Sequence, residues 1–388
     1  MIFMDLSVYE LAVEFRRHFH RYPEVSMQET GTRDYICDVL KRYGIAYQVF
    51  GTGIIARIGQ GERCVAIRGE MDALKVTEET GLSYASAHKG VMHACGHDMH
   101  LGMVLAVAVA LKEQEMHLKG VVKVVFQPSE EKRPGGARLL LPELLKPPRP
   151  QAIFAQHVYP GLKSGVVGLR SGAFFASSDN VICSVEGKGT HAAMPQNGSD
   201  TILATACLIQ FYQTLVTKFR NPLTPAVVSV TSVHGGTANN VIPDRVEMLG
   251  TVRTHDNALR DRIFEWMDEK SEAICSLYGC HYCRNKATDG LPVLMNDRKL
   301  TEELRSSSAE WLGAEQVVDM EPLMLGEDFA IYLQEIPGVM WVLGVCPPEQ
   351  EIMPPLHSPK FAPDERAMEN GSRMLRKCID WVLDDGMC

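Results

Sequence analysis

The chain has 388 residues, 45% hydrophobic and 22% charged, with a formal net charge of −9. An acidic balance with no basic block argues against nucleic acid as a partner. The longest apolar run, Leu101–Leu111, is about half of the ~20 residues that a membrane-spanning helix needs, so no membrane partner is expected. The length exceeds what one core serves, so two domains are expected, in tandem or with one inserted in the other.

The opening sequence MIFMDLSVYELAVEFRRHFH lacks the basic-then-apolar order of a signal peptide and reads as an amphipathic helix. The 11 cysteines are scattered and odd in number. Without an export signal they read as free thiols in a reducing compartment, and a cytoplasmic location is expected. Residues 5–43 read as two helices broken at Pro23, with Gly44 as the stop.

Short β-type runs follow at Tyr47–Phe50, Gly53–Ile58 and Cys64–Gly69. Val65, Ala66 and Ile67 form the continuous apolar run expected of a central strand covered on both faces. Glu70 and Asp72 stand at its far end, where open α/β sheets place ligands. They read either as a solvated turn or as functional groups, and Asp72 is carried forward as a candidate catalytic residue.

The stretch Gly90–His100, GVMHACGHDMH, gathers three histidines, a cysteine and an aspartate in one loop before a helix from Leu101 to about Gln114. Imidazole, thiolate and carboxylate are the ligands that a borderline metal such as Zn²⁺ accepts. Taken singly, each residue reads as a buried thiol or an ordinary histidine. A strong strand, Val121–Phe126, then runs into Gln127-Pro128-Ser129-Glu130-Glu131. Another, Ala152–Ala155, ends in Gln156-His157. Three buried strands whose far ends carry ligand-type residues make the metal-site reading the stronger one. Alternation of strand, loop and helix predicts a largely parallel sheet.

The texture changes near Ser177–Asp179. The order strand–helix–strand–strand–helix–strand fits a small α+β sandwich of ferredoxin-like type. The expected organisation is therefore a catalytic α/β domain in two parts, residues 1–178 and 291–388, with an inserted domain over 179–290 and a return near Asp289–Pro292. Cys275, Cys280 and Cys283, beside His281, read as structural thiols rather than a second metal site. After the return come a helix from Arg298 to Trp311, a strand at Gly338–Val345, a rigid loop carrying His357, and a closing helix from Asp364 to Leu383.

These residues resemble the M20 metallopeptidase family, in particular its D subfamily of aminoacylase, hippurate hydrolase and auxin-conjugate amidohydrolase types. The matching motifs are HRYPE (His20–Glu24), EMDAL (Glu70–Leu74), GVMHACGHDMH, FQPSEE (Phe126–Glu131), GTHAAMP (Gly189–Pro195), NVIPD (Asn240–Asp244), GTVRT (Gly250–Thr254), GEDF (Gly326–Phe329) and LHSPKF (Leu356–Phe361). The resemblance implies a zinc-peptidase-like catalytic domain and an inserted lid that commonly forms a homodimer. It implies metal ligation by Cys95, His97, Glu131, His157 and His357, and Glu130 as the general base. It further implies His191 as an oxyanion stabiliser for the partner subunit's site, and Asn240 and Arg253 as the grip on a substrate carboxylate. Departures from the family pattern, at Arg68-Gly69-Glu70, Thr190, Gly326 and Lys132-Arg133-Pro134, leave every ligand in place and bear on the substrate.

Five ligands exceed the need of one tetrahedral ion with an open position. They suit two divalent ions, Zn²⁺ or Mn²⁺ with Co²⁺ or Ni²⁺ as options. The expected activity is metal-dependent hydrolysis of N-acyl-amino acids to a carboxylate and a free amino acid. A dipeptidase or carboxypeptidase on the same scaffold is the second reading. A non-catalytic binder of acylated amino acids, its metals serving only the fold, is the alternative from another class. A thiol-redox protein is weaker still, because Cys280 and Cys283 precede no helix signal.

Overall fold

A computed structural model describes residues 7–286 and 290–384. The chain divides into two compact units. The first comprises Met1–Gly172, Met295–Glu321 and Asp328–Cys388; the second comprises Ala173–Leu294 with Pro322–Glu327.

The first unit is built on an eight-stranded mixed sheet. From one edge its strands are Ala46–Phe50, Gly53–Gly59, Val121–Gln127, Cys64–Glu70, Ala152–Lys163, Gly338–Cys346, Val167–Leu169 and Val317–Asp319. The four central strands run parallel to one another. Three of them, Cys64–Glu70, Val121–Gln127 and Gly338–Cys346, are buried along their whole length, because helices cover both faces of such a sheet. The helix His97–Glu113 is buried nearly all round. Gly102 lets the helix Val8–Arg21 approach: a Cβ there would meet the Ala12 carbonyl oxygen at 2.7 Å. The closing helix, Ala367–Asp384, buries one apolar face in the same core.

The sequence places the whole of Gly90–His100 in a loop, but the helix starts at His97. Gly96, at φ +81°, makes the sharp entry, and Asp98 in the first turn suits the positive helix N-terminus. His157 likewise lies inside its strand rather than beyond its end. Pairing with Gly338–Cys346 carries the strand on to Lys163, with His157 opposite Val342. A short helix, Ala137–Leu144, was not expected from the sequence.

The second unit has a four-stranded sheet in the order Ala226–Gly235, Arg245–Thr254, Asp179–Glu186, His281–Arg284, each pair antiparallel. The helices Thr201–Thr214 and Asn257–Ser276 supply the rest of a separate core. The chain α/β class with a ferredoxin-like α+β unit is thus the observed architecture. Ser178 pairs with Leu291 inside this unit, whose main segment Ala173–Leu294 is wider than the expected 179–290; Asp289, expected at the return, lies outside the described residues. The segment Pro322–Glu327 belongs here because Leu323 bonds Phe174 and Ala176 through its backbone. Thr201–Phe219 is long and apolar enough to cross a membrane by length and composition. Its Ala204, Leu208, Tyr212 and Leu215 side chains are instead buried in this unit's core.

Candidate metal centre

The site forms where five chain segments meet, those carrying Asp72, Cys95 and His97, Glu130 and Glu131, His157, and His357. Asp72, 1% exposed, follows the strand Cys64–Glu70. One of its oxygens accepts the Glu130 N–H at 3.0 Å. The other accepts the Glu131 N–H at 2.9 Å and the Ser26 hydroxyl at 2.6 Å. Its backbone oxygen lies 2.8 Å from His97 Nδ1. Asp72, expected among the catalytic residues, therefore holds the two glutamates and one histidine in place with both carboxylate oxygens already engaged.

His97 Nδ1 donates to that carbonyl, so Nε2 is the nitrogen left for a ligand. It is buried and has no hydrogen-bond partner. Glu131 Oε1 is in the same condition, 4.0 Å from His97 Nε2 and 3.3 Å from His357 Nε2. Buried polar atoms are nearly always paired, so two converging orphans call for an explanation. His157 Nδ1 donates to the Val158 carbonyl at 2.8 Å, which turns Nε2 toward Cys95 Sγ at 3.4 Å. His357 sits at φ +67°, an uncommon conformation for a residue with a Cβ, fixed by its N–H donating to the Ala94 carbonyl at 2.8 Å. Such backbone costs of order 1–3 kcal/mol and tends to persist at functional positions.

Two triads of potential ligand atoms result, Cys95–His97–His157 and Cys95–Glu131–His357, each within 4.8 Å of one another. They share Cys95. All five expected metal ligands are thus gathered in one place. Glu130, half-buried, joins His97 and Glu131 in a further group. The thiolate, imidazoles and carboxylate, with two orphaned buried atoms among them, fit divalent metal ions.

The other two histidines of the Gly90–His100 stretch have different positions. His100 donates from Nδ1 to Glu70 at 3.0 Å and accepts the Val158 N–H at Nε2, 2.8 Å away, so both ring nitrogens are engaged. His93 is buried and takes no part in these groups; burial pushes it down to about 3, leaving it neutral. Behind the site, Arg68 is wholly buried and ion-pairs with Glu70 and, at 2.8 Å, with Asp328. Gln127 donates to both oxygens of Asp328 at 2.8 and 2.9 Å. Burial opposes the charge on Glu70, but Arg68 and His100 hold its carboxyl well below the usual range. Sequence reading missed Ser26, Gln127 and the part played by Arg68 and Asp328. Only the arginine in the buried run and the Gly326–Phe329 motif gave a signal.

In the second unit, His191 and Asn240 are exposed neighbours: the Ala192 N–H donates to the Asn240 carbonyl at 2.9 Å. His191 Nδ1 accepts the Ala193 N–H at 3.1 Å, which places the ring proton on Nε2 when the imidazole is neutral. Arg253 is half-buried, and burial pulls its guanidinium pKa down.

The family model for peptidase family M20/M25/M40 matches residues 66–381. The N-acetyl-L-cysteine deacetylase of Bacillus subtilis (strain 168) is 38% identical over 376 residues, 96% of this chain and 88% of that protein. An N-acetyldiaminopimelate deacetylase of Streptococcus uberis is 33% identical over 380 residues, 96% and 99% of the two chains. Among solved structures, the YXEP protein of Bacillus subtilis, a dinuclear metal binding peptidase from the M20 family, superposes with a TM-score of 0.82. It is 34% identical, with 97% of this chain and 99% of that one covered. With the family model matched over residues 66–381 and a relative 38% identical over 96% of the chain, this chain belongs to peptidase family M20/M25/M40.

Proposed function

We propose that the chain hydrolyses the amide bond of N-acyl-amino acids, releasing a carboxylate and a free amino acid, with two divalent ions bound. The observation that carries this reading is the pair of ligand triads sharing Cys95, with Glu130 beside them on a turn locked by Asp72. The deacetylase relatives act on substrates of this class. Cys95, His97, Glu131, His157 and His357 would hold the ions, Zn²⁺ or Mn²⁺ in our reading. Bound there, the ions lower the pKa of a water from about 15.7 toward ~7 and polarise the amide carbonyl.

The remaining chemistry is the chain's own. Glu130 takes the proton of the attacking water and passes it to the leaving amine. His191 donates from Nε2 to the developing oxyanion, in our reading that of the partner subunit's site. Arg253 offers paired donors to the substrate carboxylate, and Asn240 adds a neutral one. Asp72, its carboxylate oxygens engaged by Ser26, Glu130 and Glu131, acts by positioning. We further read the second unit, which contains the inserted residues 179–290, as the lid of a homodimer. Its exposed Ile202, Leu203 and Phe219 side chains support an apolar contact surface. The described cysteines are all free thiols, which supports a reducing, cytoplasmic location.

The test is a substrate panel on chelated and then metal-reconstituted protein. N-acetyl-amino acids should be cleaved only after reconstitution, and faster than dipeptides or plain amides. Equal turnover by the chelated protein, or none on any N-acyl-amino acid, would refute the reading.

A further inference from the structure

The turn Ser129-Glu130-Glu131 presents three successive backbone N–H groups, and all three end on buried carboxylates. Asp72 accepts those of Glu130 and Glu131. The Ser129 N–H donates to Glu29 Oε1 at 2.8 Å, and the Thr52 hydroxyl donates to Glu29 Oε2 at 2.9 Å. Glu29 is fully buried. Ser129 needs such a tether: it is buried at φ +51°, where a residue with a Cβ is rarely stable.

Glu29 also stands at the cap position of the helix Thr30–Arg42, yet its side chain makes no capping bond there. Glu24 serves that end instead, accepting the Gly31 and Thr32 N–H groups at 3.1 and 2.8 Å. The Glu29 side chain is thereby free to reach the turn. Close packing leaves the turn little room elsewhere: a Cβ on Gly136 would meet the Pro128 carbonyl oxygen at 1.9 Å.

We infer that Glu29 is a positioning residue: its Oε1, by anchoring the Ser129 N–H, sets the backbone from which Glu130 and Glu131 project. The inference rests on the roles proposed for those two glutamates. What the turn needs from Glu29 is an acceptor at the right reach. Burial pushes the Glu29 carboxyl up from its usual range, against the hydrogen bonds from Thr52 and Ser129.

The test sets two conservative variants against each other. Glu29→Gln keeps the oxygen that takes the Ser129 N–H and removes the charge. Glu29→Asp keeps the charge and withdraws the oxygen by one methylene. Steady-state kinetics on an N-acetyl-amino acid would be measured beside the affinity for Mn²⁺ and Zn²⁺, from competition with a chelating dye. Loss of a group supporting a metal ligand costs about 10–100-fold in affinity or activity. Glu29→Asp should show that loss in both kcat and metal affinity with KM little changed, while Glu29→Gln stays near wild type. Val382→Ala, a core change in the closing helix, should lower the melting temperature and leave kcat and metal affinity alone. If Glu29→Gln is impaired and Glu29→Asp is not, or if neither departs from wild type, the inference is overturned. It is also overturned if Val382→Ala reproduces the loss. Failure of the wider reading looks different: Glu130→Gln would then keep turnover, while Glu29→Asp would still weaken metal binding through Glu131.

Discussion

Cys95 Sγ lies 3.4 Å from His157 Nε2, and burial disfavours charge on both groups. Burial, reinforced by Glu131 and Glu130, pushes the thiol well above its usual range, and burial pushes His157 down to about 3. His97 goes the other way. Burial opposes its charge, but Asp72, Glu70 and Glu131 raise it to about 10. Metal ligation needs a thiolate and a neutral imidazole. Loading the site at pH 7 should therefore expel protons from Cys95 and His97, about two in all. Calorimetric titration in buffers of different ionisation enthalpy measures that release. Metal affinity should rise with pH, because protons compete for the same atoms. Binding without proton release would show that these two groups are not the ligands.

Glu130 and Glu131 are sequence neighbours with different fates, and their variants should separate. Glu131 Oε1 stands close to His97 and His357, so Glu131→Gln should weaken metal retention. Glu130→Gln should keep the metal and lose about 10²–10⁴-fold in kcat, the range associated with general acid–base catalysis. Metal content by atomic absorption, read beside kcat, distinguishes the two. Turnover near wild type in Glu130→Gln would remove its assignment as base.

Part of the site was legible because candidate ligands stand at or near the ends of buried apolar strands, which period and composition reveal. Glu131 and His157 stood out on that basis, Cys95 and His97 by crowding into the short Gly90–His100 stretch, and motif resemblance added His357. What remained hidden is what depends on which way a side chain turns. Asp72 reads as a candidate catalytic residue from its place past the end of a buried strand; only coordinates show its oxygens filled by Ser26, Glu130 and Glu131. His100 carries the same signal as His97 three residues away, but Glu70 and Val158 engage both its nitrogens. The helix start at His97 was masked because Gly96, which makes it, reads equally well as part of a loop.

His20 lies between two carboxylates, 2.9 Å from Asp98 and 3.1 Å from Glu78, and is 1% exposed. Burial works against its charge, yet the hydrogen bonds to Asp98 and Glu78 prevail and raise it to about 9. The folded pKa is above the ordinary value of about 6.5. The stabilisation is therefore complete below pH 6.5 and lost as pH rises through 9, on the order of 3 kcal/mol in all. Urea unfolding of the metal-free protein between pH 6 and 10 should show this decline. His20→Gln should be less stable at pH 6 and flatter with pH. Parallel pH profiles for the two proteins would rule out the charged pairing.

The role proposed for His191 carries a prediction about pairs of subunits. The Ala193 N–H bond to Nδ1 leaves Nε2 as the proton-bearing nitrogen, so removing the ring removes the proposed oxyanion donor. Glu130→Gln and His191→Ala should each be nearly inactive as homodimers. In a mixed dimer, a site that keeps Glu130 from one subunit and receives His191 from the partner is complete. Equal mixing with free subunit exchange gives half mixed dimers, each with one complete site of two, hence about one quarter of wild-type activity. Were His191 to serve its own subunit's site, every site in the mixture would lack one group and mixing would restore nothing. Sedimentation of the wild-type protein checks the premise, since a monomer that retains full activity would exclude a donor from a second subunit.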